Sequence, residues 1–223
     1  MRIRRKALAI LLIALSTSTV PIFSFTASAH EIYYTGSSTN ATAIPIKWNN
    51  FSNGKAYLKI NGDNLSSEYS SAYSTASFLW STYSQKVTTS QVSFGASTLD
   101  IASTTKAYWD QRFGIVGTGI LGITDSKSTD GYIINSSNVQ NSSKKVSYSQ
   151  IFMTPYTSMY NSSNLNNHKI ATITHEIGHA LGLGHPNEYY YPTNVESIMR
   201  TGGDYEGYYV PRTHDINDLT NKY

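Results

Sequence analysis

Two stretches of the chain repeat apolar residues at the spacing of an α-helix. The first ends near Tyr83, and its periodic positions are Tyr69, Ala72, Tyr73, Ala76, Leu79, Trp80 and Tyr83. The second spans residues 168–181, and its stripe consists of Ile170, Ile173, Ile177 and Leu181. We predict a long helix in each stretch, capped by Ser66 or Ser67 in the first and by Asn166 or Asn167 in the second.

Shorter stretches have the pattern of β-strands. Residues 55–60 alternate weakly before the turn signal Asn61-Gly62-Asp63, and residues 146–153 alternate clearly. Further strand candidates are residues 91–94, 99–102 and 132–134. The glycine-rich residues 114–122 predict a loop or a bent strand, and a short terminal helix is expected from about Thr213. We therefore predict one α+β domain, with a twisted mixed sheet, two long helices above it and an irregular lower half.

The first 29 residues have the three parts of a secretory signal peptide. Basic residues at positions 2–6 precede the apolar run 7–15, and the small residues Ala27-Ser28-Ala29 form a cleavage site. An uncut membrane anchor is the alternative, but the run is short for a span of about 20 residues, and Pro21 interrupts the stretch after it. We expect export and release, a polar lead-in over residues 30–47 and a catalytic domain over residues 48–223.

The composition excludes several classes of protein. The 223 residues contain no cysteine, which rules out disulfide scaffolds, cysteine-ligated metals and cysteine nucleophiles. The net charge of +3 comes from the N-terminal tip, because removing its four basic residues from the total of 17 leaves 13 against 14 acidic ones. A nucleic-acid partner is therefore not expected, since it would need a basic face.

The segment from His175 to His185 carries the candidate chemistry. His175 and His179 are four positions apart, about 40° around a helix, so both imidazoles project from one face and can grip one ion. Glu176 stands beside the first of them, where a base acting on water at the metal is needed. Gly182 can end the helix and return His185 to the same ion. Three imidazoles with one open position are typical of a catalytic zinc site.

The pattern HExxHxxGxxH followed by a methionine turn resembles the metzincin zinc endopeptidases. Met199, in Ser197-Ile198-Met199-Arg200, matches that turn, and in the family the methionine packs beneath the histidines as an apolar floor. Weaker similarity over residues 48–223 is to matrixin-type catalytic domains. The resemblance implies a metzincin-like fold with the zinc in a cleft and a zinc endopeptidase acting on protein or peptide substrates. Together with the predicted signal peptide, this leads us to expect a secreted monomer with no membrane attachment after export.

The chain departs from the matrixin pattern in two places near the site. Pro186 follows the third histidine, as in the serralysins, and Thr201 stands where astacins and serralysins place a tyrosine. We expect substrate to pair with an exposed strand edge, with residues 146–153 as the best candidate, and the segment from Pro186 through Thr201 to wall the specificity pocket. Other functions remain open: a zinc-dependent binding protein that no longer cleaves, or a different zinc hydrolase.

Several other residues admit two interpretations each. Asp125, Asp130 and Gly131 could line a structural calcium loop, although they lack the dense carboxylate spacing of such loops. His168 and His214 fit surface or capping positions better than metal sites. Asp215 could cap the terminal helix, bond the methionine turn as its counterpart does in matrixins, or do both. A tyrosine among Tyr189, Tyr190 and Tyr191 could stabilise an oxyanion.

Overall fold

The computed structural model describes most of the chain after the predicted lead-in. The described residues are 34–35, 42–44, 46–114, 119–131, 133–134, 145–160, 162–186, 195–201 and 209–223. The predicted signal peptide lies outside them. Within these residues no helix is both long enough and apolar enough to cross a membrane.

The described residues form nine strands in two sheets. A small antiparallel pair consists of β1 (Tyr34–Thr35) and β2 (Thr42–Ala43). The seven strands of the main sheet are β3 (Lys47–Trp48), β4 (Phe51–Ser52), β5 (Lys55–Asn61), β6 (Val87–Gln91), β7 (Leu99–Ser103), β8 (Gly122–Ser128) and β9 (Lys145–Met153). Strands β6, β5, β7 and β9 run parallel in that spatial order, and β8 closes the sheet antiparallel to β9. The sheet is therefore mixed, as the sequence predicts.

The expectation that residues 146–153 form an open edge is wrong. Strand β9 pairs with β7 on one side and with β8 on the other, so its backbone groups are already used. Among the described residues the edge strand on this side of the sheet is β8, which begins at the end of the stretch predicted as a loop or bent strand. On the outer side of β8, the described residues 133–134 pair with the strand only at its far end. Ile133 forms an isolated bridge with Lys127, and the Ile134 amide donates to the Ser126 carbonyl.

In the part of the chain that the structure describes, four helices accompany the sheet. They are α1 (Ser70–Tyr83), α2 (Lys106–Phe113), α3 (Leu165–Ala180) and α4 (Thr213–Lys222). Short 3₁₀ turns at Ser67–Tyr69, Thr157–Met159 and Ser162–Asn164 are also present. The two long helices and the terminal helix confirm the pattern-based prediction. Ser66 occupies the N-cap of the 3₁₀ turn that leads into α1, as predicted, but its side chain makes no capping hydrogen bond. Helix α3 begins three residues earlier than expected, and neither long helix has a side-chain cap.

The core lies between the sheet and the two long helices, which pack on each other. The Trp80 indole of α1 donates a buried hydrogen bond of 2.8 Å to the carbonyl of Thr174 in α3. Helix α2 covers the opposite face, where Tyr108 and Phe113 pack on Phe152 of β9. The sequence does not predict α2, because only Trp109 of its residues is buried and the helix therefore shows no apolar stripe.

Both ends of the described domain are joined to the core. Ile44 and Ile46 belong to the core, although the sequence assigns them to the lead-in segment. The Tyr223 hydroxyl accepts from the Trp48 amide at 3.0 Å and donates to the Leu181 carbonyl at 3.0 Å. This hydroxyl therefore ties α4 to β3 and to the end of α3, immediately before the turn that leads to His185.

Candidate active site

Helix α3 ends in a glycine turn that reverses the chain. Gly182 has a φ of 83°, a left-handed conformation that costs glycine nothing. Its amide bonds the His179 carbonyl at 2.8 Å, and the Leu183 amide bonds the Gly178 carbonyl at 3.0 Å. These two bonds form a Schellman motif, which satisfies the last carbonyls of the helix. The chain beyond it turns back, as predicted, and places His185 beside the helix.

The turn and the helix bring three imidazoles around one point. The ring centres of His175 and His179 are 4.6 Å apart, those of His179 and His185 are 4.6 Å apart, and those of His175 and His185 are 5.1 Å apart. One nitrogen from each ring lies within 4.8 Å of the other two. Among the described residues this is the group of histidine or acidic side chains that could hold a metal ion.

Backbone carbonyls orient two of these rings. His175 Nδ1 lies 2.8 Å from the Ile198 carbonyl, and His179 Nδ1 lies 2.8 Å from the Leu183 carbonyl. A carbonyl only accepts, so Nδ1 carries the proton, and in the neutral ring Nε2 keeps its lone pair. Burial, followed by the neighbouring His185, lowers the pKa of His175 to about 3. Burial and the two other imidazoles likewise hold the pKa of His179 well below its ordinary value.

The spacing of two of these nitrogens fits a shared zinc ion. His175 Nε2 lies 3.2 Å from His185 Nε2. Two ligands of a tetrahedral zinc, each about 2.0 Å from the metal, are about 3.3 Å apart. A hydrogen bond between these two rings would also fit this distance, but it leaves the equally close third imidazole unexplained. Neutral rings with inward lone pairs are the protonation state that metal binding requires.

Met199 lies buried beneath the histidine-bearing helix. An added Cβ at Gly178 would overlap the Met199 sulfur and come within 2.9 Å of the Trp80 ring. The absence of a side chain at Gly178 therefore makes room for Met199 and Trp80. The methionine is 2% exposed and belongs to the hydrophobic core.

Asp215 fixes the turn that carries Met199. One carboxylate oxygen accepts from the Ser197 hydroxyl, and the other accepts from the amides of Ile198 at 3.0 Å and Arg212 at 2.7 Å. Asp215 is the third residue of α4, so it bonds the N-cap amide of Arg212 without being the N-cap itself. The expected bond to the methionine turn is present. Since Ile198 also bonds His175, Asp215 supports that ring through one backbone residue.

Glu176 is buried, at 5% exposure, on the side of α3 that faces β8. Its Oε2 lies 2.6 Å from the Thr124 hydroxyl, which is also 3.0 Å from the Glu176 carbonyl. An added Cβ at Gly122 would come within 2.7 Å of Glu176 Cγ, so strand and side chain are in close contact. Burial raises the pKa of Glu176 to about 7, and the Thr124 hydroxyl opposes this rise. Sequence reasoning does not identify either strand residue.

The other candidates lie apart from this group. Asp125 forms a 2.7 Å ion pair with Arg112 of α2, a contact that already neutralises its carboxylate and does not support calcium there. His168 packs edge-on against the Tyr160 ring, and His214 lies 3.5 Å from Asp218 one turn along α4. Residues 187–194 lie outside the described residues. They include the three tyrosines at 189–191 and make up half of the segment expected to wall the specificity pocket.

Comparison with known proteins finds one partial similarity. No protein-family model matches the chain. Serralysin A from Dickeya chrysanthemi is 44% identical over 69 aligned residues, which cover 23% of this chain and 15% of that protein. The match therefore spans far less than two thirds of either chain. It is a similarity to part of a metzincin protease, and it agrees with the clan that the histidine motif resembles.

Proposed function

We propose that the protein is a secreted, metzincin-like zinc endopeptidase whose metal ligands are His175, His179 and His185. The observation that carries the proposal is the convergence of three imidazole nitrogens within 4.8 Å of one another. The Glu176 carboxylate projects from the same helix as two of these rings. A structural zinc site has no need of a carboxylate beside its ligands, whereas peptide hydrolysis needs a base there.

The chain's own residues supply the proton transfers of the reaction. Zinc, when bound, would supply Lewis acidity toward the scissile carbonyl and the attacking water. Glu176 takes a proton from that water as it attacks and then gives the proton to the departing amine nitrogen. The carbonyls of Ile198 and Leu183 hold two of the rings in the tautomer that binds metal.

We further propose that substrate adds to the edge strand β8. The residues from Gly122 to Asp125 have their outer side open in the part of the chain that the structure describes. Two of them, Gly122 and Thr124, contact Glu176, so a peptide lying along this edge passes close to the base. Main-chain pairing with a strand edge is a general way to hold an extended peptide.

The test is cleavage of casein or a mixed peptide library by the purified mature protein. We expect cleavage of internal peptide bonds, its loss after chelation and its return on adding zinc. Metal analysis after dialysis should find one equivalent of zinc per chain. A zinc-loaded protein that cleaves no peptide in the library would contradict the proposal and favour either a binding protein or a hydrolase of another amide.

The Glu176→Gln variant separates catalysis from metal binding. Glutamine keeps the size of the side chain and leaves all three imidazoles in place, but it cannot accept the proton. We expect full zinc content with a rate per bound zinc at least about 10²-fold lower. Equal rates in the variant and the wild type would mean that Glu176 is not the base.

Export is tested at the N-terminus of the protein recovered from the medium. Cleavage after Ala29 should give a mature chain that begins with His30. A mature chain that starts elsewhere would change the boundary between the signal peptide and the lead-in segment. Size-exclusion chromatography of the same sample tests the expectation of a monomer.

A further inference from the structure

Two residues on one face of strand β8, Gly122 and Thr124, lie next to Glu176. Side chains alternate along a strand, so Gly122 and Thr124 face α3 while Asp125 faces Arg112 of α2. Because Gly122 has no Cβ, its backbone can lie against Glu176 Cγ and Oε1. The strand therefore approaches α3 closely enough for the next residue on that face to reach the carboxylate.

The Thr124 hydroxyl contacts Glu176 at two atoms. It lies 2.6 Å from Oε2, a distance typical of a hydroxyl donating to a carboxylate, and 3.0 Å from the Glu176 backbone carbonyl. A hydroxyl has one proton to donate, and the shorter contact is the one to the side chain. Threonine is β-branched and stiff at χ1, so its hydroxyl is held in place by the strand.

Glu176 depends on such a partner for its orientation. A glutamate has three rotatable bonds, and a buried carboxylate costs free energy unless it is hydrogen-bonded. Within the described residues, the side chain that donates a hydrogen bond to this carboxylate is Thr124. With Oε2 engaged by the Thr124 hydroxyl, Oε1, which lies close to Gly122, remains for proton transfer.

We propose that Thr124 is a positioning residue for Glu176, which it holds in the orientation that proton transfer requires. This inference rests on the proposed role of Glu176 as the general base. The edge strand β8 would then both hold substrate and, through the Thr124 hydroxyl, orient the base.

The test compares Thr124→Val, which removes the hydroxyl at nearly constant volume, with Thr124→Ser, which keeps it. We expect kcat to fall about 10- to 100-fold in the valine variant, with KM and zinc content unchanged, and to recover in the serine variant. The matched control is Thr89→Val, since Thr89 on β6 makes a similar strand-to-helix bond of 2.7 Å to Ser81 of α1. That variant should keep the wild-type kcat. If Thr124→Val does not fold, Thr124→Ala takes its place.

Two further measurements identify how Thr124 acts. Adding Thr124→Val to a Glu176→Gln protein should not lower the residual rate again, because the residue to be positioned is already disabled. A crystal structure of Thr124→Val should show the Glu176 carboxylate displaced from its wild-type position. A raised KM with unchanged kcat, an additive loss in the double variant or an undisplaced carboxylate would each overturn the inference. The crystal structure decides even if the wild-type protein cleaves no peptide, a result that would instead contradict the proposed function.

Discussion

At the scale of single residues, Gly178 shows two physical effects in opposition. Glycine inside a helix costs about 1 kcal/mol relative to alanine, so the helix alone would favour a larger residue. The structure shows the opposing effect, because an added methyl group would meet the Met199 sulfur and the Trp80 ring. Both neighbours are buried and cannot move away without disturbing the core.

The first prediction rests on this balance. Gly178→Ala should lower the free energy of unfolding by about 1–3 kcal/mol, since overpacking outweighs the gain in helix propensity. Urea denaturation of the metal-free proteins measures the change. Ser74→Ala, at an exposed position of α1, is the control and should stay within about 0.5 kcal/mol of the wild type. A stabilised Gly178→Ala protein would mean that Met199 can shift at little cost.

The residues of the site differ in how far the sequence could reveal them. The histidines and Glu176 stand at fixed spacings on one helix and its turn, so a local pattern is sufficient to propose them. Thr124 carries no such signal, because it is one of many threonines and lies 52 positions from Glu176. Gly122 is, in the sequence, only part of a glycine-rich stretch. Their roles depend on which strand lies beside α3, and sequence spacing does not determine that.

At the scale of elements, α4 and the methionine turn act as a unit through Asp215. The carboxylate accepts three hydrogen bonds from two segments that are separated by part of the undescribed chain. The methionine turn also provides the Ile198 carbonyl, which accepts a hydrogen bond from His175. The position of a helix at the end of the domain therefore influences the orientation of a ring in the site.

The second prediction concerns this connection. Asp215→Ala leaves three donors without their acceptor and should lower the free energy of unfolding by about 2–5 kcal/mol. Zinc affinity should fall by about 10- to 100-fold, as when other supports of a metal ligand are removed. Denaturation and competitive zinc titration measure the two effects. Asn217→Ala, at an exposed position on the same helix, is the control and should change neither quantity. An unaltered zinc affinity in Asp215→Ala would mean that the methionine turn does not support the metal-binding ring.

The strands show why elements with clear patterns can still be misplaced. Strands β5, β7 and β9 are recognisable because their residues alternate or are apolar, and all three are interior strands. The pattern of β9 indicates that the strand exists but not which strands pair with it, so it does not reveal that both edges are occupied. For β6 the sequence predicts residues 91–94, yet the strand spans Val87–Gln91, where consecutive polar residues hide it.

At the scale of the whole molecule, the proposed zinc ion would join segments that the chain otherwise keeps apart. Its ligands lie on α3 and on the segment after the Schellman turn, and His175 is bonded to the methionine turn. A ligand that binds only the folded state stabilises it by mass action, by about 4 kcal/mol at a thousandfold excess over Kd.

The third prediction is therefore a change in thermal stability. Chelation should lower the Tm by about 10 °C, since each kcal/mol corresponds to about 2–4 °C in a domain of this size. Calorimetry with and without chelator measures the shift, and added zinc should reverse it. The His185→Ala protein is the control, because it lacks a ligand and should show a much smaller response. An unchanged Tm in the wild type would argue against a zinc site.

The fourth prediction concerns the Tyr223 hydroxyl. Tyr223→Phe removes one group that pairs both the Trp48 amide and the Leu181 carbonyl. The expected loss is about 1–3 kcal/mol in the free energy of unfolding, because two backbone groups lose their partner while the ring contact with Phe51 stays. Chemical denaturation of the two proteins measures it. Tyr83→Phe, at a largely exposed side chain, should be neutral.

The bond between Trp48 and Tyr223 also has a consequence for folding kinetics. It joins residues 175 positions apart, and parallel pairings such as β5 with β7 add further long loops. Contacts between distant parts of a chain close large loops and are associated with slow folding. The Trp48 contact cannot form until the chain through Tyr223 has been made. Until then the turn at the end of α3 lacks one of its anchors, so a fully ordered histidine cluster should be among the last features of the molecule to appear.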